Sequence, residues 1–272
     1  MRIDSHTNAT GKQHRWGIPL WLLFFLISSP AMGFGANGHR IVAKIAEHYL
    51  TPDTKANVNA VLGNELMTQA ATWPDEMRSN PDPFWTNTSI YWHFINIPPG
   101  KRYEESKVNP KGNAYTALQQ LITQLKNNNA SLEKRRFALR FIIHIVGDLH
   151  QPLHVGHEKD RGGNTIEVKW FGETTNLHTV WDSKLIDFQQ LSFSEFTHFL
   201  LQTPKEKRDA YASGDPMLWI NESLQLRETV YAIGNGDFGY RYVYQHTPTI
   251  KNQLLKAGVR LATLLNQIYD PK

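Results

Sequence analysis

The chain has 272 residues, of which 40% are hydrophobic and 20% charged, an ordinary globular composition that fits one large domain or two small ones. It contains no cysteine, which excludes disulfides and thiolate metal sites and leaves any metal to His, Asp, Glu or backbone groups. The formal charge of +4 falls to about +2 without residues 1–33, a basicity too weak to demand or exclude a polyanionic partner.

Residues 1–33 read as a separate object. Arg2, Lys12 and Arg15 precede the apolar run "IPLWLLFFLIS", and "SSPAMG" then supplies small residues at a cleavage point, as in a secretory signal. The run is short for a membrane span, with an uncleaved anchor as the alternative. Cleavage after Gly33 would leave a mature chain beginning at Phe34 and long enough to bury roughly 70 to 75% of its unfolded surface.

Helical signals dominate the rest of the chain. "NGHRIVAKIAEHYL" places Ile41, Val42, Ile45, Ala46, Tyr49 and Leu50 on a 3.6-residue period, with Asn37 as a candidate cap. Further helices are expected over 52–62, 113–127, 131–150, 174–186, 194–203, 215–233 and 248–268. Five prolines between Ser79 and Pro110 mark that segment as mostly loop. In "NTIEVKWFG", 164–172, Ile166, Val168 and Trp170 alternate with polar residues, which predicts a small hairpin. No repeat or linker interrupts 34–272. The expectation is a mainly α, single-domain, multi-helix fold with a small β-hairpin.

"HIVGDLHQPLH", 144–154, sets three histidines and an aspartate in eleven positions after an apolar run. His144 and Asp148 share one helix face, and Ile142, Ile143, Ile145 and Val146 make that helix apolar nearly all round. Buried imidazoles and carboxylates without partners are costly, and a metal ion removes the cost. Pro152 stops the helix, so His154 is the next side chain able to turn back toward a neighbouring site. The same spacing recurs in "HTVWD", with His178 and Asp182. Taken singly, each histidine is better explained as a residue bonded to backbone, and His48, His150, His157, His198 and His246 keep that reading. The "EKRR" run at 133–136 reads as a helix surface, and Lys101 and Arg102 as a solvated loop.

The ordered set "GANGH", "WPDEMR", "WHFIN", "HIVGDLHQPLH", "GGN" and "HTVWD" resembles the secreted zinc-dependent single-strand nucleases typified by the fungal S-one and P-one enzymes, which are related to bacterial zinc phospholipase C. That resemblance implies a mainly helical fold carrying three zinc ions. It places Asp75, His93, His144 and Asp148 on the first, with Asp148 bridging, and His154, His178 and Asp182 on the second. His39, bridging Asp148 and the amino and carbonyl groups of Phe34 fall to the third. Phe34 stands where the family usually has tryptophan, which matters little to a backbone ligand. The resemblance further implies that Asp75 orients or deprotonates the attacking water and that Arg78 contacts phosphate. Phe94 would stack a base and Asn164 would meet substrate or hold its turn. Asn96 replaces the base-binding aspartate of fungal members, so base preference is open. The implied activity is cleavage of single-stranded DNA and RNA to 5′-phosphate products, with 3′-nucleotidase activity, by a secreted or periplasmic monomer that handles nucleotides and has no stable membrane association once trimmed. The competing readings are a zinc phospholipase C, whose pattern ends the second cluster in HxxxE where this chain has Asp182, and a zinc-binding protein without turnover.

Overall fold

The computed structural model describes residues 34–105 and 109–271; the expected signal at 1–33 lies outside them. Seven helices of nine or more residues build the body: α1 (Ala36–Tyr49), α2 (Pro52–Leu62), α3 (Ala114–Lys126), α4 (Leu132–Leu149), α5 (Phe193–Leu201), α6 (Pro216–Tyr231) and α7 (Tyr240–Tyr269). Helix α4 runs through the centre, packed by α3 on one side and touched by α1, α6 and α7 on others. It begins at Ser131, whose hydroxyl accepts the Lys134 N–H at 3.3 Å, and its last twelve residues are almost all buried. Its first turn is polar and its second half apolar. The helix thus enters from solvent and ends in the core.

Helices α1 and α7 cross in intimate contact, because Gly258 has no side chain where a Cβ would stand 2.4 Å from that of Ile45. Ile41, Val42, Ile45 and Ala46 of α1 are fully buried. Fully burying such a side chain contributes about 1.5 to 3 kcal/mol, so the α1 stripe alone fixes the helix to its neighbours.

The hairpin pairs β1 (Glu167–Trp170) with β2 (Glu173–Asn176), antiparallel, Glu167 opposite Asn176 and Trp170 opposite Glu173. Phe171 and Gly172 both take positive φ, the geometry of a two-residue hairpin turn. A third strand, β3 (Asp237–Phe238), lies parallel to β1; two residues carry too little pattern to be read from sequence.

Several expected boundaries move. The helix expected over 174–186 starts as β2, and its helical part is a run of Leu177–Thr179, a π-turn at Val180–Lys184 and Leu185–Asp187. The last helix begins at Tyr240 rather than 248, with Pro248 inside it. Proline leaves the carbonyl four residues earlier unbonded, and here that residue, Tyr244, is 84% exposed, so water can take the place of the lost donor. Asn37 is no cap. Helix α1 starts one residue before it, after Gly35, and the Asn37 amide donates instead to Asp187 Oδ1 at 2.9 Å. The proline-rich segment contains short helices at Pro83–Asn87, Ser89–His93 and Tyr103–Glu105, and two more turns, Trp73–Glu76 and Pro152–Val155, carry expected site residues.

Candidate metal centre and nucleic-acid site

Six segments converge inside the domain. Helix α4 contributes His144 and Asp148, one turn apart, with His144 Nε2 3.1 Å from Asp148 Oδ2. His93 reaches in from the Ser89–His93 turn, its Nδ1 2.9 Å from His144 Nε2 and 3.3 Å from Asp148 Oδ2. Asp75, from Trp73–Glu76, sets Oδ1 3.7 Å from His93 Nδ1 and 3.8 Å from His144 Nε2. From α1, His39 Nε2 lies 3.4 Å from Asp148 Oδ1. On the far side of Asp148, His154 Nδ1 is 3.5 Å from Oδ1, and beyond it His178 Nε2 stands 3.0 Å from Asp182 Oδ2. Three sets have donor atoms within 4.8 Å of one another: His39, His144 and Asp148; Asp75, His93 and His144; His154, His178 and Asp182.

Glycine makes one of these approaches possible. A Cβ at Gly147 would sit 2.8 Å from His39 Nδ1 and 3.0 Å from Cε1, so only a bare helix surface admits the His39 ring. That ring stacks on His144 with centroids 3.9 Å apart and planes 15° from parallel. Sequence reading passed over Gly147, although it stands within the 144–154 motif.

The rings are aimed by backbone carbonyls. The Nδ1 of His144 bonds Ala71 O at 2.7 Å, that of His154 bonds His93 O at 2.5 Å, and that of His178 bonds Gly162 O at 2.6 Å. A carbonyl only accepts, so each Nδ1 is a donor and Nε2 is the nitrogen left to face a cation. The Gly162 carbonyl is itself held. Asp160 Oδ1 accepts the Gly163 N–H at 2.7 Å and the Tyr231 hydroxyl at 2.9 Å. The segment carrying His93 and Phe94 is tied to the His154 turn by Ile95 N to His154 O at 2.7 Å and Ile97 N to Gly156 O at 3.1 Å.

Buried donor atoms test whether a metal fits. Both nitrogens of His39, Nε2 of His93, Oδ1 of Asp75 and both carboxylate oxygens of Asp148 are buried without a hydrogen-bond partner in the protein. A buried carboxylate without hydrogen bonds is costly even among imidazoles, and an ion coordinating it would remove that cost. The donor set is imidazole nitrogen and carboxylate oxygen, which suits zinc. Electrostatics agree. Burial pulls the His144 pKa down, yet Asp148 and Asp75 outweigh it and push it up to about 9. Burial raises the Asp148 carboxyl, but His144 and His154 hold it well below the usual range. His93 falls to about 4, through burial and then Arg78, and His39 falls through burial and then His144. The pocket therefore favours positive charge, carried by at most one of its central imidazoles.

Of the remaining expected residues, Arg78 stands against the cluster. Arg78 Nε lies 3.4 Å from Asp75 Oδ1. Phe94 and Asn96 are half-buried and alternate with buried Ile95 and Ile97, so both reach the partly open side. The Asn164 amide donates to Arg161 O at 2.8 Å, closing the turn in which Arg161, Gly162 and Gly163 all have positive φ. Of the two roles open to Asn164, holding the backbone is the one its contacts fill. Phe34 is fully buried at the start of α1, with a Gly38 methyl excluded by its Cβ at 2.6 Å, and the Gly35 N–H donates to Asp182 O at 2.8 Å. His48 and His198 are exposed, and His150, His157 and His246 enter none of the three sets.

A helical domain that buries imidazoles around a central carboxylate, with an arginine beside a second one, has the donor set of the metal-dependent phosphodiesterases. The S1/P1 Nuclease family matches residues 34–270, and the chain belongs to that family, the zinc-dependent single-strand nucleases that its motifs resemble. It is 30% identical to Endonuclease 3 of Arabidopsis thaliana, over 94% of this chain and 97% of the relative. It is 27% identical to Nuclease S1 of Aspergillus oryzae, over 92% and 97%, and 30% identical to Nuclease P1 of Penicillium citrinum, over 87% and 98%. The chain is thus a nuclease whose substrates are nucleic acids. Among the described residues no helix is long and apolar enough to cross a membrane.

Proposed function

We propose that this nuclease is exported and carries three zinc ions, and that it hydrolyses single-stranded DNA and RNA to 5′-phosphate products, with 3′-nucleotidase activity. The observation that carries the reading is the buried convergence of unbonded imidazole and carboxylate atoms around Asp148. Asp75, His93, His144 and Asp148 would hold one ion, His154, His178 and Asp182 a second, and His39, Asp148 and the backbone of Phe34 a third. Bound zinc supplies Lewis acidity and brings the pKa of water toward 7.

The chain's own residues supply the rest. Asp75 would help to hold the metal, and it orients the attacking water and takes its proton. Arg78, beside Asp75, presents a forked guanidinium to the negative charge that grows on the phosphate oxygens. Phe94 stacks on a base, a contact worth about 1 to 3 kcal/mol that tolerates any sequence. Asn96 meets the base edge, and Asn164 keeps the Gly162 carbonyl in place for His178. Removal of residues 1–33 by a signal peptidase would create the α-amine of Phe34, coupling the third metal to export. The mature protein would act as a secreted or periplasmic monomer without stable membrane association.

The test assays the trimmed protein on single-stranded DNA, RNA, 3′-nucleotides and a short-chain phosphatidylcholine, with and without chelator. Chelator-sensitive cleavage of both nucleic acids leaving 5′-phosphates is expected. Cleavage of the lipid alone would make it a phospholipase, and cleavage that survives complete zinc removal would sink the metal mechanism.

A further inference from the structure

Gln151 lies in the middle of the 144–154 motif, yet it belongs to none of the three donor sets and has no part in the proposed hydrolysis. Its side chain is fully buried. Nε2 donates to Asp182 Oδ1, and Oε1 accepts the Leu153 N–H at 2.6 Å. Its main chain is engaged as well, with N donating to Asp148 O at 3.0 Å and O accepting from His154 N at 2.9 Å. One residue therefore joins the end of α4, the turn that carries His154, and the carboxylate of Asp182.

A carboxylate rotates broadly about its last torsion and offers two equivalent oxygens. A neutral N–H fixed on Oδ1, which also lies 3.9 Å from His154 Nε2, removes that freedom and leaves Oδ2 3.0 Å from His178 Nε2. A charged donor there would compete with a cation for the same carboxylate, whereas an amide orients it and leaves its charge intact. We infer that Gln151 is a positioning residue: it sets Asp182 to bind a divalent cation through one oxygen, together with His154 and His178. The inference rests on the proposed reading of this cluster as a metal site. It also explains why a buried glutamine stands directly after a helix end, where most side chains would serve the backbone equally well.

Two substitutions separate orientation from mere packing. Gln151→Glu keeps shape and can still accept from Leu153, but opposes one carboxylate with another. Gln151→Met keeps length and loses the donor. Each is compared with wild type for folding, by circular dichroism and melting in excess zinc, and for zinc bound after dialysis against a weak chelator. Both should fold, and one zinc equivalent should leave roughly 10 to 100 times more readily. The Gln151→Glu defect should shrink as pH falls from 8 to 5.5, because a proton shared by the two carboxyls restores a donor to Asp182; the Gln151→Met defect should not change with pH. Full zinc content at wild-type affinity in both variants would overturn the role. If neither folds, glutamine-labelled wild-type protein decides: the Gln151 side-chain amide resonance should shift on zinc addition, and an unmoved resonance would overturn the role too. Absence of zinc in wild type would instead sink the metal reading itself.

Discussion

The two ends of the metal centre are held to different degrees. Around Asp148 restraint is partial: the Ala71 carbonyl aims His144, but both oxygens of that carboxylate and both nitrogens of His39 are buried without a hydrogen bond in the protein. Around Asp182 nearly every atom is pinned, His178 by the Gly162 carbonyl, His154 by the His93 carbonyl, Asp182 by Gln151. The difference teaches that the first end would depend on bound ions for satisfaction, while the second is organised without them. Metal removal should therefore loosen the α1–α4 contact first and leave the His178–Asp182 turn largely in place.

The strongest way to break the first end is Asp148→Asn, which removes the carboxylate charge that two clusters would share. Activity should drop on the order of a thousandfold, with loss of more than one zinc; a rate assay with elemental analysis checks both. Gly147→Ala comes next. Its methyl must displace the His39 ring, and a shift of about 1 Å at a site of this kind costs roughly a hundredfold, so the variant should melt near wild type but cleave poorly and bind one zinc fewer. Phe94→Ala removes a stacking face and spares the metals, so KM for single strands should rise about tenfold with kcat nearly unchanged.

The smallest effect concerns protons. His144 has its pKa raised to about 9, so in zinc-stripped protein it contributes stability that is complete below pH 6.5 and is lost as pH rises through about 9. Zinc should replace that proton: titration calorimetry at pH 8 in buffers of different ionisation enthalpy should show release from this imidazole. Binding at pH 8 with no proton release would argue that the first end is already neutral.

A second buried network anchors the centre from behind. Arg260 donates to His150 Nε2 at 3.0 Å and to Glu222 at 2.8 and 2.9 Å, while Gln253 and Ser223 cap the carbonyls of His150 and Leu149, each at 2.7 Å. Burial and the neighbouring Arg260 take the His150 pKa down to about 3, so this imidazole stays neutral and the end of α4 is held by hydrogen bonds rather than by ions. His150 thus bonds backbone and neighbours, as its lack of a carboxylate partner four residues away in the sequence suggested, and enters no cluster.

Local spacing determined much of this protein. The four-residue intervals of His144 and Asp148, and of His178 and Asp182, are set by one helical turn and survive even where the second is wound as a π-turn. Apolar periodicity located α1 through α6, and alternation located the hairpin, because those signals come from a residue's nearest neighbours along the chain. What the tertiary structure alone decided are relations between distant segments. That Gly147 makes room for a ring from α1, that Gln151 faces Asp182, that Gly162 offers its carbonyl to His178, and that α7 starts eight residues early because Tyr242 and Val243 are buried, all depend on which surfaces meet once the chain is folded. A residue's type sets what its side chain can donate or accept; only packing between separate segments decides to whom.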